Sequence, residues 1–185
     1  MKDIFVDIVD DNDEMIYARP LSQVLEDGLL GQIRMVKLFI MNYDKELLLC
    51  RNASFAKASA DKAANIERKV DDLFDCPLTA IVHAGESYED ALIRACQEIF
   101  NIDITAQQYY ELGTLSRQDG FDCFTQIYEL TYNELPDFSQ TKFNDFMWEK
   151  PLDIITQFTK DPEGAKSLSM CLKSFYFDCQ DNFSC

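Results

Sequence analysis

Residues 80–102 constrain the fold most, because they predict a short strand, a turn and an amphipathic helix in direct succession. The strand is 80–82, and Gly85 marks the turn into the helix. Ser87 stands where a helix N-cap is expected, with Asp90 three residues later, close to a capping box. Apolar residues then recur at i, i+3, i+4 and i+7, as Leu92, Ala95, Cys96 and Ile99. One face of this helix is therefore predicted to belong to the core.

Segments typical of β-strands lie on both sides of this helix, mostly in pairs separated by turn residues. The strands are predicted at 4–9, 15–17, 33–41, 46–50, 110–115, 121–132 and 145–148. Further helices are predicted at 20–27, from Pro151 onward and at 162–176. Hairpins with helices between and after them indicate the α+β class, a mixed sheet with helices packed on its faces.

The length of 185 residues and the apolar share of 47% suit one domain with its own core. We expect this domain to span 1–176, followed by a loose tail at 177–185. Residues 52–72 are rich in alanine and poor in large apolar residues. They are predicted to be a surface insertion, partly helical.

The charge balance is strongly acidic, with 33 Asp+Glu against 17 Lys+Arg and a net charge of −16. Binding of nucleic acid or an anionic membrane by bulk charge requires a basic surface, so we expect neither partner. A substrate that carries phosphate would need a metal or a local basic patch. Six of the carboxylates crowd into residues 3–14, which we expect to lie away from the chemistry.

The seven cysteines are odd in number, and no secretory segment opens the chain, so reduced thiols and a cytoplasmic location are expected. A zinc site is disfavoured because no C-x-x-C pair occurs and His83 is the single histidine. We take Cys96 as a core residue. The apolar runs are far shorter than the roughly 18 residues that a membrane span needs.

Residues 80–102 also resemble the Nudix box, the family pattern G-x5-E-x7-R-E-U-x-E-E-x-G-U, in which U is a bulky aliphatic residue. Glu86, Arg94, Glu98 and Ile102 fall in register with that pattern. Three of its seven fixed Gly, Glu and Arg positions are kept. The box is degenerate, since the other four positions hold Ala80, Ala95, Ile99 and Asn101.

The resemblance implies a Nudix fold, with a mixed sheet between helices, and a Mg²⁺ or Mn²⁺ site on the box helix. Carried over by position, Glu98 is the metal ligand, Arg94 orients it, and Glu86 closes a salt bridge from the loop and is a second candidate ligand. Ala95 and Ile99 remove two carboxylates from the family's metal cluster. The alternative, that Glu86, Arg94 and Glu98 form an exposed ion-pair network, is left open.

The segment around the box is similar to the branch of the superfamily that includes isopentenyl diphosphate isomerase. The sequence Arg94-x-Cys96-x-x-Glu98 carries that similarity, together with Gly85-Glu86-Ser87 and the preceding hairpins, the second of which ends in Arg51. The isomerase's catalytic cysteine would fall on Thr79 and its metal-binding histidine on Ile81. Isomerase activity is therefore not expected.

Two further site residues are predicted. The isomerase family's later acidic pair falls near Asp122, which is a candidate second metal ligand or general base, against the alternative of a solvated carboxylate at the start of a strand. Arg51 opens the single basic stretch of the chain, 51–69, and is a candidate substrate contact. The alternative there is a solvated insertion with interspersed acidic residues.

Two functions from different classes follow. The first is a metal-dependent Nudix hydrolase that cleaves a diphosphate linkage in a small organic molecule, such as a nucleoside diphosphate derivative. The second is a catalytically inactive Nudix-fold domain that binds a nucleotide-like ligand or a protein partner. Glu98 and Arg94 favour the first, and Ala95 and Ile99 favour the second. A homodimer is left open.

Overall fold

The computed structural model describes residues 3–52, 74–137, 143–158 and 166–177. The predicted insertion at 52–72 and the predicted tail at 177–185 lie almost entirely outside these ranges. The chain divides into two compact units, one formed by 1–38 with 78–130 and the other by 39–77 with 131–185.

The regular elements of the described ranges follow the order expected from the sequence, with one strand, Phe74–Asp75, that was not predicted. The strands are β1 (Phe5–Val9), β2 (Met15–Pro20), β3 (Arg34–Met41), β4 (Leu47–Asn52), β5 (Phe74–Asp75), β6 (Leu78–Ile81), β7 (Tyr109–Leu115), β8 (Phe124–Thr131) and β9 (Phe143–Glu149). The α-helices are α1 (Leu21–Glu26), α2 (Tyr88–Phe100), α3 (Pro151–Phe158) and α4 (Lys166–Leu172). Short 3-10 turns cover Leu30–Gln32, Ile104–Ala106 and Arg117–Asp119, and a π-helical turn covers Lys173–Phe177.

In the first unit, β1 and β2 form an antiparallel hairpin in which Ile8 lies opposite Tyr17. The turn between them is held by Asp10, whose Oδ1 accepts the backbone N–H groups of Asn12 at 2.8 Å and Glu14 at 3.0 Å. Asp10 and Asn12 are residues that favour such a turn because a short side chain can bond the nearby backbone. Beneath the hairpin lies a core cluster of Val6, Ile8, Val24, Ile33 and Cys123.

The same unit contains the strands that flank the box. The first part of β3 pairs antiparallel with β6, with Met35 opposite Ile81 and Leu38 opposite Leu78. β7 pairs antiparallel with β8. Helix α2 follows β6 after a short loop and buries Ala91, Leu92, Ala95, Cys96 and Phe100. The predicted apolar face is thus confirmed at Leu92, Ala95 and Cys96. Ile99 is only half-buried, and its neighbour Phe100 is buried instead.

In the second unit, β4 pairs antiparallel with β9, from Leu47 opposite Glu149 to Asn52 opposite Phe143. β5 adds to β4 with Cys50 opposite Asp75. The end of β3 meets β4 where Met41 lies opposite Leu47. The rings of Phe39 and Tyr176 meet edge to face, with centroids 5.9 Å apart.

The predicted α+β class is confirmed. The strand predicted from residue 121 begins only at Phe124, because the N–H of Phe121 bonds the carbonyl of Ser116 and so belongs to the preceding turn. Cys50, Cys76, Cys96, Cys123 and Cys171 are buried thiols rather than disulfides. Within the described ranges, no helix has both the length and the apolar character needed to cross a membrane.

Candidate functional site

The start of α2 is fixed by the capping box that the sequence predicts. The hydroxyl of Ser87 accepts the N–H of Asp90 at 3.0 Å, and Asp90 Oδ2 accepts the N–H of Ser87 at 3.2 Å. These reciprocal bonds satisfy two N–H groups that a helix start leaves without a partner inside the helix. The loop before the helix is therefore held close to its first turn.

The end of α2 explains one departure from the Nudix box. Asn101, where the family pattern has glycine, adopts the left-handed conformation with φ 54°. Its N–H bonds the carbonyl of Gln97 at 3.2 Å. Asparagine is the residue that replaces glycine most readily at a left-handed helix end. The helix can therefore end as the family pattern requires without the glycine.

Arg94 is the centre of the candidate site. Its Nε donates to Glu86 Oε1 at 2.7 Å and its Nη2 to Glu86 Oε2 at 3.0 Å. Nη2 also donates to the carbonyl of Ile81, the last residue of β6, at 2.9 Å, and Nη1 donates to Glu98 Oε2 at 3.2 Å. One guanidinium thus joins strand, loop and helix. Hydrogen bonds to Glu86, opposed by burial, raise the pKa of Arg94.

Both carboxylate oxygens of Glu86 are occupied. Besides the two bonds from Arg94, Glu86 Oε2 accepts the backbone N–H of His83 at 2.9 Å. Partial burial acts to raise the pKa of Glu86, but the bonds from Arg94 and His83 and the charge of Arg94 outweigh it and hold the pKa below the ordinary glutamate range. Glu86 is therefore an ionised anchor for Arg94, with little capacity left for another ligand.

Glu98 is in a different position. Its side chain is 61% exposed, against 22% for Arg94. Oε2 faces Arg94, while Oε1 makes no hydrogen bond to any residue that the structure describes. Glu98 is thus oriented by Arg94 through one oxygen and offers the other to solvent. The two neighbouring box positions add no oxygen ligand, because the side chains of Ala95 and Ile99 are hydrocarbons.

Asp122 and Arg51, the remaining predicted residues, have contacts of their own. Asp122 is exposed in the bend before β8, and its carbonyl lies 3.5 Å from Arg117 Nε. Across the described ranges, no group of three or more His, Cys, Asp or Glu residues could hold a metal ion, so Glu98, Glu86 and Asp122 do not form such a cluster. Arg51, in the second unit, pairs with Asp145 at 3.0 Å and stacks over Phe74.

The acidic residues of 3–14 are expected to lie away from the chemistry, but Asp7 and Asp13 contact the box. Asp7 is 7% exposed, and its Oδ2 accepts the N–H of Gly85 in the box loop at 3.0 Å. Asp13 accepts the hydroxyl of Tyr88, the first residue of α2, at 2.8 Å, and pairs with Arg34 at 2.6 Å. The signal for Asp7 was a carboxylate inside an otherwise apolar strand, where burial requires a partner.

Comparison with known proteins extends the likeness over nearly the whole chain. No protein-family model matches the chain. An uncharacterized Nudix hydrolase from Nostoc sp. is 27% identical over 179 residues, 95% of this chain and 98% of that protein. A Nudix hydrolase from Deinococcus radiodurans is 23% identical over 175 residues, 92% of this chain and 93% of that protein.

The solved structures agree in fold. The crystal structure of DR0079 from Deinococcus radiodurans matches with a TM-score of 0.77 at 21% identity, covering 93% of this chain and 99% of that one. A solution structure of DR0079, described as a hypothetical Nudix protein, matches with a TM-score of 0.53 at 22% identity, covering 95% and 96%. The chain is therefore similar from end to end to proteins named Nudix hydrolases, and it shares the fold of DR0079.

Proposed function

We propose that the chain is a metal-dependent Nudix hydrolase that cleaves a diphosphate linkage in a small organic molecule, such as a nucleoside diphosphate derivative. The observation that carries the proposal is the arrangement of Arg94, which grips Glu86 with two hydrogen bonds and orients Glu98 with a third. A helix that served only for packing would not require three charged groups linked in this way between strand, loop and helix.

The donors present fit a divalent metal that binds together with its substrate. Mg²⁺ usually keeps several waters and takes one or two carboxylates plus substrate phosphates. Glu98 offers one uncommitted oxygen on an exposed side chain, which suits that mode. Mg²⁺ or Mn²⁺ bound there would neutralise diphosphate charge and increase the acidity of a bound water.

The chain's own residues have distinct roles in this proposal. Glu98 provides the ligand oxygen, and Arg94 is a positioning residue that sets the direction in which the Glu98 carboxylate points. Glu86, ionised and half-buried, keeps Arg94 in place. Asp122 is proposed as a base for the attacking water or as a second ligand, and Arg51 as a substrate contact; both roles rest on the family resemblance.

The second candidate function, a Nudix-fold domain without catalytic activity, is supported by a separate observation. The described ranges hold no group of three metal-binding side chains, and the positions of two family glutamates are taken by Ala95 and Ile99. These features favour a domain that binds a nucleotide-like ligand or a protein partner without turnover. The two candidates differ in one measurable property, the dependence of product release on a divalent metal.

The deciding experiment is an assay for released phosphate, pyrophosphate or nucleotide over a panel of nucleoside diphosphate derivatives, with Mg²⁺, with Mn²⁺ and with a chelator. Calorimetric titration of the protein with Mg²⁺, alone and beside a non-hydrolysable diphosphate analogue, runs in parallel. The hydrolase proposal expects turnover that requires metal. An absence of turnover over the panel, together with an absence of metal binding in both titrations, would overturn the hydrolase proposal.

A further inference from the structure

A cleft of about 270 Å³ lies in the first unit, at the turn of the β1–β2 hairpin. Its walls come from the end of β1, the 3-10 turn before β3 and the connection between β7 and β8. The lining residues include Val9, Asp11, Gln32, Arg117, Gln118 and Phe124. We name it the Arg117 cleft. Its volume is slightly below the usual range for ligand pockets, so it suits one heterocyclic ring rather than a whole nucleotide.

Arg117 enters this cleft over a glycine. A Cβ built on Gly31 would lie 1.8 Å from Arg117 Nη2, so any side chain at 31 would displace the guanidinium. Gly31 does not adopt a positive φ, unlike Gly28, Gly85, Gly113 and Gly120. The backbone conformation therefore does not require glycine at this position, whereas the place of the Arg117 side chain does.

The segment that presents Arg117 is fixed by local hydrogen bonds. Ser116 Oγ accepts the N–H of Gln118 at 3.2 Å, and Asp119 Oδ2 accepts the N–H of Ser116 at 2.8 Å. Gly120 ends the turn in the left-handed conformation with φ 86°. On the opposite wall, the hairpin turn is held by Asp10. Both walls are thus ordered before any ligand binds, which reduces the entropy lost on binding.

The polar groups that face the cleft are uncommitted. Over the ranges that the structure describes, the side chains of Asp11, Gln32 and Gln118 make no hydrogen bond, and Arg117 makes only the long contact to the Asp122 carbonyl. Val9 is buried and Phe124 half-buried, so they add an apolar surface. A few convergent polar groups beside an apolar wall are typical of a ligand site.

We propose that the Arg117 cleft binds a neutral heterocycle through a lactam edge, a ring carbonyl next to a ring N–H, as in uracil or hypoxanthine. Arg117 donates to the carbonyl, Asp11 accepts the ring N–H, and the ring lies against Phe124. A carboxylate or phosphate ligand is disfavoured because Asp10 and Asp11 line the same cleft in a chain of net charge −16. The claim that the cleft binds a heterocycle does not depend on the proposed hydrolase function. The further claim that this heterocycle is the base of the hydrolase substrate rests on that function.

Phosphate-free nucleosides test the cleft separately from the diphosphate chemistry. Uridine and inosine are titrated calorimetrically without metal, beside 3-methyluridine and 1-methylinosine, in which a methyl group replaces the ring N–H. We expect uridine or inosine to bind and its methylated partner to bind at least about tenfold more weakly, because the methyl group removes the ring N–H that Asp11 accepts and occupies its place; tenfold corresponds to roughly 1.4 kcal/mol. Equal binding within both pairs, or no binding of either parent nucleoside, would overturn the proposal.

Variants locate the site. Arg117→Gln and Gly31→Ala should each weaken nucleoside binding at least about fivefold. The first removes the guanidinium of Arg117, and the second keeps it but displaces it from the cleft. Arg19→Gln is the matched control, because Arg19 pairs with Asp27 outside the cleft. The nucleoside titrations contain neither metal nor diphosphate, so a failed hydrolase assay and a failed cleft remain distinguishable. Binding of benzoate or inorganic phosphate in place of the nucleosides would show an anion site instead and refute the lactam-edge assignment.

Discussion

Glu86 and Arg94 are joined by two parallel hydrogen bonds, Nε to Oε1 at 2.7 Å and Nη2 to Oε2 at 3.0 Å. The side chains are 21% and 22% exposed, so the pair is partly shielded from solvent. A planar guanidinium facing a carboxylate in this way gives both strength and direction. The pair therefore fixes the loop against the helix and, through the third bond, sets the orientation of Glu98.

Removing the charge of Glu86 should destabilise the protein. Glu86→Gln leaves Arg94 with an incomplete set of acceptors, and we expect the free energy of unfolding to fall by about 1–3 kcal/mol. Glu98→Gln is the matched control, because its ion pair is mostly exposed and should contribute less than about 0.5 kcal/mol. Urea denaturation monitors both, and equal losses in the two variants would contradict the assigned difference.

The same pair predicts a pH dependence. The pKa of Glu86 is lower in the folded protein than in the unfolded chain, so the folded state binds fewer protons at this group. Its contribution is complete above the unfolded value of about 4.3 and is lost as the pH falls through the folded value. The stability difference between wild type and Glu86→Gln should therefore shrink as the pH falls below about 4. A difference that grows in acid would reverse this sign and refute the account.

The helix cap offers an independent test of stability. Ser87→Ala removes the acceptor for the Asp90 N–H and should lower the free energy of unfolding by about 1 kcal/mol. Ser87→Thr keeps a hydroxyl at the N-cap and should recover most of that loss. If thermal or urea denaturation shows that Ala and Thr at this position are equivalent, the capping box contributes no measurable stability.

Cys96 should be inert in the native protein. Burial raises the pKa of its thiol to about 12, and the thiolate is the reactive form. Iodoacetamide at neutral pH should therefore leave Cys96 unmodified in the folded protein and modify it fully in concentrated urea, as located by peptide mass spectrometry. Modification at equal rates in the two conditions would show that Cys96 is not a core residue.

Local signals predicted much of this structure. The capping box at Ser87 and the β1–β2 hairpin depend on residues close together in sequence, so spacing alone was sufficient. The roles of Glu86, Arg94 and Glu98 came from the resemblance to the Nudix box. The residues brought together from a distance were missed. Asp7 bonds Gly85 across 78 positions and Asp13 bonds Tyr88 across 75, and neither pairing has a periodic signature in one sequence.

The contacts within the candidate site were predicted in part for the same reason. Arg94 and Glu98 lie one helical turn apart, and the i, i+4 rule predicts their contact. The position of Asp122 depends on the conformation of the bend between the 3-10 turn and β8. Alignment with a family pattern does not predict that conformation where no specific motif covers the bend. The similarity to the isopentenyl diphosphate isomerase-like branch stays a prediction.

The most direct test of the hydrolase account compares Glu98→Gln with Glu89→Gln on any diphosphate compound that the wild-type protein cleaves. Both glutamates lie on α2, but Glu89 accepts a bond from Tyr109 and has no contact with Arg94. We predict that Glu98→Gln lowers metal-dependent kcat/KM at least about a hundredfold while Glu89→Gln stays within about twofold, the first being a loss of roughly 2.7 kcal/mol of transition-state stabilisation. Full activity of Glu98→Gln would contradict the claim that this carboxylate holds the catalytic metal.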